Sequence, residues 1–354
     1  MAGFVCHTVS VLVSSAELLF ATSACALWNL PAPASCRAVP GGLQHRLLRL
    51  DFSDHEPLAL KSLSPRAARN EADGERFERA ETLASRAAQN GVPALVALPS
   101  PHGHFVGWHA GQAFLFYRWV EGETLPPTAV SPERAALMGG FLARVHALRV
   151  RFPGQEAPVP EAFPDGHFHS ILHHAQEQGA SWAPRLAEAI DELEHLNALA
   201  RDAQLALRDG WVTGHLDFDQ KNVLWRGDEP LILDWEQAKA IHPALEAMGA
   251  GLSWAGQSAG APDKAAFGAW LHGYREHNEL RLADLERAVD GVLGKWTIWL
   301  EFNLARLLDE TLSEEERRVA FDCGMHALGA TLQLGRDGAM YRAWCREAFG
   351  SKSV

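Results

Sequence analysis

Residues 212–238 read V-T-G-H-L-D-F-D-Q-K-N-V-L-W-R-G-D-E-P-L-I-L-D-W-E-Q-A, and the rest of the chain is organised around them. The stretch holds His215, Asp217 and Asn222 in an H-x-D-x-x-x-x-N pattern, and Asp234 follows the apolar run Pro230-Leu231-Ile232-Leu233. Chance alone gives roughly 0.02 such patterns in a chain of this composition. Phosphoryl transfer from a nucleotide needs such a set. One carboxylate accepts the proton of an attacking hydroxyl, and an Asn and a second Asp hold magnesium on the phosphates. Magnesium prefers oxygen ligands, which Asn222 and Asp234 supply. The strand-like runs 207–213 and 231–233 flank the pattern, so it is expected in a loop. The plainer reading is a polar turn in which Asp217 and Asp219 bond their own backbone.

With these residues the stretch resembles the aminoglycoside-phosphotransferase and choline-kinase family, small-molecule kinases with the protein-kinase fold. The family's loop usually reads H-G-D-x-x-x-x-N-h-L (h, apolar), followed by a hairpin ending in I-D-W/F-E. This chain has H-L-D-F-D-Q-K-N-V-L and then I-L-D-W-E. Leu216 stands in place of the usual Gly, a change expected to affect packing. Asp219 stands where many members have His or a neutral residue and puts a second carboxylate beside the reacting group.

The 354 residues suffice for one large or two ordinary domains with a substantial core. Hydrophobic residues at 47% and charged residues at 21% fit a globular protein. A net charge of −12 argues against nucleic acid as partner and mildly favours cationic ligands. The five Cys, at 6, 25, 36, 323 and 345, form no C-x-x-C and read as reduced thiols of a cytoplasmic protein. No apolar run reaches the ~20 residues of a membrane span, so no membrane partner is expected. The first 27 residues are apolar, and Ala24-Cys25-Ala26 mimics a signal cleavage site. However, no Lys or Arg precedes residue 37 and Glu17 interrupts the run. The alternative is a helix from about Ser15, with Ser14 and Glu17 as a capping box. Residues 1–12 are expected to be poorly ordered.

Along the chain, residues 31–40 read as a Pro-rich connector. Gly41-Gly42 follows, either a hairpin turn or a place where backbone approaches a ligand. Pro57 to Leu63 is an apolar strand with one cation, Lys61, which must face solvent or meet an anion. A helix over about 67–90 offers Glu71, Glu75, Glu78 and Glu81 and stops at Gly91-Val92-Pro93. Strands are expected at 92–98, 104–108 and 113–120, the last running into Glu121-Gly122-Glu123. Ser131 caps a helix with Pro132 at its first position, and His146 within it reads as packed. His167, His169, His173 and His174 read as solvated helix histidines. Helices are expected over 183–208, 263–277, 282–310 and 313–334. Asp263, Glu276, Glu279 and Asp309 are candidates for contacts to a cationic substrate, although solvated helix faces are the simpler reading. The aromatics Trp296 and Trp299 read as core or as a substrate cleft.

The resemblance covers most of the chain from Gly41 onward and implies an α+β, two-lobed, protein-kinase-like fold. A β-rich nucleotide lobe spans 1–120 and a helical lobe 121–354. It implies that Gly41 and Gly42 cover the phosphates and that Lys61 holds the α- and β-phosphates with Glu81, or else Glu78, as its partner. Backbone at Arg118, Trp119 and Val120 would receive the adenine. Asp217 is the implied base, Asn222 and Asp234 the magnesium ligands, and His215, Asp219 and Glu236 supports. The donor is ATP or GTP. The acceptor is a small molecule with a hydroxyl, chiefly an antibiotic, or else choline, homoserine or a sugar. No D-F-G and A-P-E pair brackets an activation segment, which disfavours protein substrates. No G-x-x-x-x-G-K-[ST] occurs. A non-catalytic nucleotide binder and a metal hydrolase using His215, Asp217, Asp219 and Asp234 are the rival readings. Oligomeric state is left open.

Overall fold

The computed structural model describes residues 13–39, 45–309 and 311–350. Its internal contacts divide the chain into two compact units. One comprises the segments up to Val130, Arg144–Pro153 and Thr213–Lys239; the other comprises Ser131–Ala143, Gly154–Val212 and Ala240 onward. The division differs from the expected single boundary near residue 120, because the 215–222 loop and the hairpin after it belong with the N-terminal sheet. Their backbones are joined: Trp225 and Glu123 exchange N–H···O bonds at 2.8 and 3.0 Å, and Ile232 N donates to Pro93 O at 2.7 Å.

The first unit is built on a five-stranded antiparallel sheet in the order β1-β2-β3-β5-β4. The strands are β1 Ser35–Val39, β2 Arg46–Asp51, β3 Leu58–Ser62, β4 Gly107–His109 and β5 Gln112–Arg118. β1 lies inside the segment read as a connector. Pro31 and Pro33 precede the strand, and Ser35 to Val39 pair fully with β2. This is an edge strand, where flanking prolines cost no ladder bonds. The strand expected at 92–98 is instead an isolated bridge from Ala94 to Ile232.

A helix covers each face of the sheet. Helix α1 (Ser15–Leu27) starts at the Ser14/Glu17 capping box. It buries Ala21, Ala24 and Cys25, with Trp28, against Leu48, Leu50, Leu58, Leu60, Phe114 and Phe116. Trp28 Nε1 donates to Leu98 O at 2.9 Å, which satisfies the one polar atom of that ring. Helix α2 (Glu71–Gln89) is capped by Asn70 and packs Phe77 with Leu63, Ala97, Val106 and Leu115 on the opposite face. Short strands β6 (Val212–Gly214), β7 (Val223–Arg226) and β8 (Glu229–Ile232) follow in the chain, β7 and β8 forming a hairpin.

The second unit is helical. Helix α3 (Pro132–Ala147) is shared between the two units by sequence, and His146 in it is buried as expected. Next come α4 (His167–Glu177), α5 (Ala183–Ala206), strand β9 (Lys239–Ile241), α6 (Pro243–Trp254) and α7 (Lys264–Arg275). The last are α8 (Leu282–Gly291), α9 (Leu293–Leu307) and α10 (Glu314–Gly350). The core joins Phe168, Trp182, Leu186, Leu193, Leu300, Leu304, Ala327 and Leu328 from α4, α5, α9 and α10. The expected helix 282–310 is broken at Val292. A Cβ at Gly291 would strike Leu245, and one at Gly294 would strike the Glu161 carbonyl, so the chain crosses these neighbours closely there. Among the described residues no helix is long and apolar enough to cross a membrane.

Candidate active site

The loop after β6 is fixed by His215, which is completely buried. Its Nδ1 accepts the Asp217 N–H at 3.3 Å, so the proton sits on Nε2, which donates to Leu233 O at 3.0 Å. The ring packs between Phe218 and Trp235. Leu233 N donates to Asn222 O at 2.8 Å. Leu233 is thus held from both sides, and Asp234 beyond it adopts a left-handed backbone with φ +56°. One buried histidine therefore ties the loop that carries Asp217 to the segment that carries Asp234.

Asn222 donates Nδ2 to Asp217 O at 2.9 Å and to Asp217 Oδ2 at 2.8 Å. Its Oδ1 is left as an oxygen without a donor among the described residues. Asp217 Oδ1 takes the Lys221 ammonium at 2.9 Å, and Lys221 also reaches Asp219 Oδ2 at 3.1 Å. Burial works against the Lys221 charge, but Asp217 and Asp219 outweigh it and hold its pKa above the usual lysine value. The sequence reading did not single out Lys221. Its place four residues after Asp217, on the same loop, was the available signal. Asp219 also accepts the Lys221 backbone N–H at 3.2 Å and so caps the short turn 220–222.

Leu216 has φ +64°. The position calls for the left-handed conformation that glycine adopts freely, and here a leucine adopts it at a cost of about 1–2 kcal/mol. The effect expected on packing is therefore first an effect on backbone.

Lys61 projects from β3 to two carboxylates, Asp234 Oδ1 at 2.9 Å and Glu236 Oε2 at 2.6 Å. Burial opposes its charge, yet the two acids hold its pKa above the ordinary value. The expected pairing with a glutamate of α2 is not formed. Glu81 accepts Tyr117 OH at 2.6 Å and Ala97 N at 2.8 Å, which engages both its oxygens. Burial raises its pKa to about 7, against the pull of Tyr117, Ala97 and Lys61. Glu78 is likewise occupied, accepting Phe105 N and Val106 N at 3.1 and 2.7 Å. Glu78 holds the segment that leads into β4, Glu81 ties Ala97 to Tyr117 of β5, and the carboxylates on Lys61 are Asp234 and Glu236. Glu236 also meets His45 Nε2 at 3.0 Å, a partner that the sequence did not suggest.

At the expected hinge, Trp119 N donates to Pro57 O at 3.0 Å and continues the β3–β5 ladder, so that group is already engaged. Arg49 stacks over the Trp119 ring and bonds Glu121, which also accepts Trp119 Nε1 at 2.6 Å. Arg118 and Val120 flank Trp119 at this turn. Gly122 packs so close to Leu224 and Trp225 that a Cβ would lie 3.1 Å from each. Gly41 and Gly42 lie outside the described residues.

Among the described residues no group of three or more His, Cys, Asp or Glu could hold a metal. His169 faces Glu194 and Asp191, and His173 faces Glu177. Asn222 Oδ1 and the Asp234 carboxylate, one residue from the Leu233–Asn222 bond, offer oxygen donors instead. A two-side-chain oxygen set completed by phosphates and water is the way magnesium is commonly bound.

A nucleotide-type lysine on a sheet, a buried-histidine loop carrying Asp217 and Asn222, and an acid after a hairpin define a kinase-like phosphotransferase. The sequence profile of the phosphotransferase enzyme family (APH) matches residues 35–283, and the chain belongs to that family of small-molecule kinases. Solved structures share its fold. A spectinomycin phosphotransferase, solved with ADP and spectinomycin, aligns at TM-score 0.68 and 10% identity over 92% of this chain and 100% of its own. A microcompartment-associated aminopropanol kinase aligns at TM-score 0.64 and 16% identity over 91% and 98%. An amicoumacin kinase, solved with AMP-PNP, Ca2+ and amicoumacin, aligns at TM-score 0.60 and 15% identity over 90% and 94%. No curated protein matches by sequence.

Proposed function

We propose that the chain transfers the γ-phosphoryl group of ATP or GTP to a hydroxyl of a small antibiotic, an aminoglycoside-like or other amine- or sugar-bearing natural product, and so confers resistance. The cluster of Asp217, Asn222, Asp234 and Lys61 carries the reaction class. The antibiotic acceptor draws on the spectinomycin and amicoumacin kinases of the same fold. A metabolic amino-alcohol or sugar kinase is the second reading, favoured by the likeness to the aminopropanol kinase. The nucleotide donor and the free thiols of Cys25, Cys36, Cys323 and Cys345 favour the cytoplasm.

Asp217 orients the acceptor hydroxyl and takes its proton as the oxygen attacks the γ-phosphorus. The bond from that phosphorus to the β-phosphate oxygen breaks, and the nucleoside diphosphate leaves. Asn222 holds Asp217 in place through two hydrogen bonds from one amide nitrogen. Lys61 balances the α- and β-phosphates. Bound at Asn222 and Asp234, magnesium would neutralise phosphate charge. An ADP-release assay with magnesium and ATP or GTP, across aminoglycosides, other antibiotics, choline, homoserine and sugars, tests this reading. Acceptor-dependent release that falls about 10²–10⁴-fold in Asp217→Asn is expected. Release that survives in the variant would refute the role of Asp217.

A further inference from the structure

Besides Asp234, two carboxylates of the first unit could serve as the counter-ion of Lys61, Glu81 on α2 and Glu236 after the hairpin. We propose that Glu236, held by His45, is the carboxylate that positions Lys61 for the nucleotide, and that Glu81 serves the fold instead. The proposal rests on the phosphotransferase reading and assigns the positioning residues of that site.

The bonds run in one chain. Ser64 N donates to His45 Nδ1 at 2.9 Å, which leaves the ring proton on Nε2. That Nε2 lies 3.0 Å from Glu236 Oε2, the same oxygen that meets Lys61 Nζ at 2.6 Å. Ser64 stands two residues beyond the end of β3, the strand that carries Lys61, and His45 immediately precedes β2. His45 therefore fastens Glu236 to the strand pair from which Lys61 projects. Its side chain is 7% exposed and that of Glu236 14%, so solvent competes little for these bonds. Phe77 from α2 packs edge-on against the ring, with centroids 6.0 Å apart, and limits its rotation.

Glu81 cannot take the same role without loss. If it swung to Lys61, Tyr117 OH and Ala97 N–H would be left unpaired in a buried place. Asp234 is a proposed metal ligand, so Glu236 is the carboxylate free to stay with Lys61.

The test is the affinity of the full chain for magnesium AMP-PNP by calorimetry, with each variant's melting temperature checked first. Glu236→Gln is expected to weaken binding by at least about fivefold, the loss of one charge-assisted bond to Lys61. His45→Asn keeps an acceptor for Ser64 but is too short to reach Glu236, and it is expected to weaken binding in the same direction. Because His45 acts through Glu236, the double variant should bind no worse than Glu236→Gln alone, whereas a merely structural His45 would add its own loss. Glu81→Gln should change affinity by less than about threefold. Damage from Glu81→Gln with Glu236→Gln silent would overturn the proposal, as would tighter binding by Glu236→Gln, which would mark Glu236 as a competitor of the phosphates. A folded wild type that binds no nucleotide would overturn the phosphotransferase reading and this proposal with it.

Discussion

Replacing Glu81 by glutamine separates the two possible partners of Lys61 through the pH dependence of stability. Glu81 is 4% exposed, and burial lifts its pKa from an ordinary 4.5 to about 7. A carboxyl whose folded pKa is raised binds more protons in the native state than in the unfolded state across that interval. Stability is then lost as pH rises from 4.5 through 7 and is level above. A tenfold change in proton affinity is worth about 1.4 kcal/mol, so the full loss is about 3 kcal/mol, of which about 2–3 falls between pH 5 and 8. Glutamine keeps the shape and does not titrate. Groups common to both proteins cancel when the two denaturation curves are subtracted. Urea unfolding of wild type and Glu81→Gln at pH 5, 6, 7 and 8 should therefore show the wild type losing stability relative to the variant by that amount. A Glu81 paired with Lys61 would have a depressed pKa, and the wild type would gain on the variant as pH rises through the acid range, reaching a plateau by pH 5. Parallel curves, or a rising difference, would refute a Glu81 that burial holds near neutrality away from Lys61.

Other substitutions probe the loop. Lys221→Met removes a half-exposed ammonium from Asp217 and Asp219; stability should change by less than about 1 kcal/mol, while turnover falls about tenfold through lost orientation of the base. A parallel loss in both would refute an orienting role. Leu216→Val places a branched side chain at φ +64°, and calorimetry should show a loss of about 1–2 kcal/mol that Leu216→Gly does not share. His215→Ala empties a fully buried site and orphans Leu233 O; it should cost about 2–4 kcal/mol in urea unfolding.

Much of the fold was legible because it is written in short range. The Ser14/Glu17 box and the stop after α2 are local bonds, and sequence shows the residues that make them. The spacing of Asp217 and Asn222 also closes within five residues. What the sequence left unread is long in range. Lys61 meets acids more than 170 positions away, whereas the sequence pointed to Glu81, or else Glu78, among four glutamates of α2. The choice is made by Tyr117 and Ala97, which reach Glu81 across a long stretch of sequence from segments read only as strands. β1 was hidden for a different reason. Pro31 and Pro33 precede rather than interrupt it, and an edge strand tolerates such prolines. The break at Val292 was hidden because glycines at close crossings do not disturb helical periodicity.

The geometry also changes what the charges say about the acceptor. Asp219 beside the reacting group suggested a cationic substrate, but Lys221 already lies 3.1 Å from it and shares Asp217. A substrate amine would have to displace an ammonium tethered two residues away, against its high local concentration. The other acids have work of their own. Asp263 caps α7 through Ala265 N, Asp309 holds Thr311, and Glu276 pairs with His272. The net charge of −12 remains, yet long-range attraction speeds encounter more than it selects a ligand. A positively charged acceptor is therefore not required by any carboxylate beside Asp217. The one feature the reaction demands is a hydroxyl that can reach that base, so neutral polyols belong in the acceptor panel on the same footing as aminoglycosides.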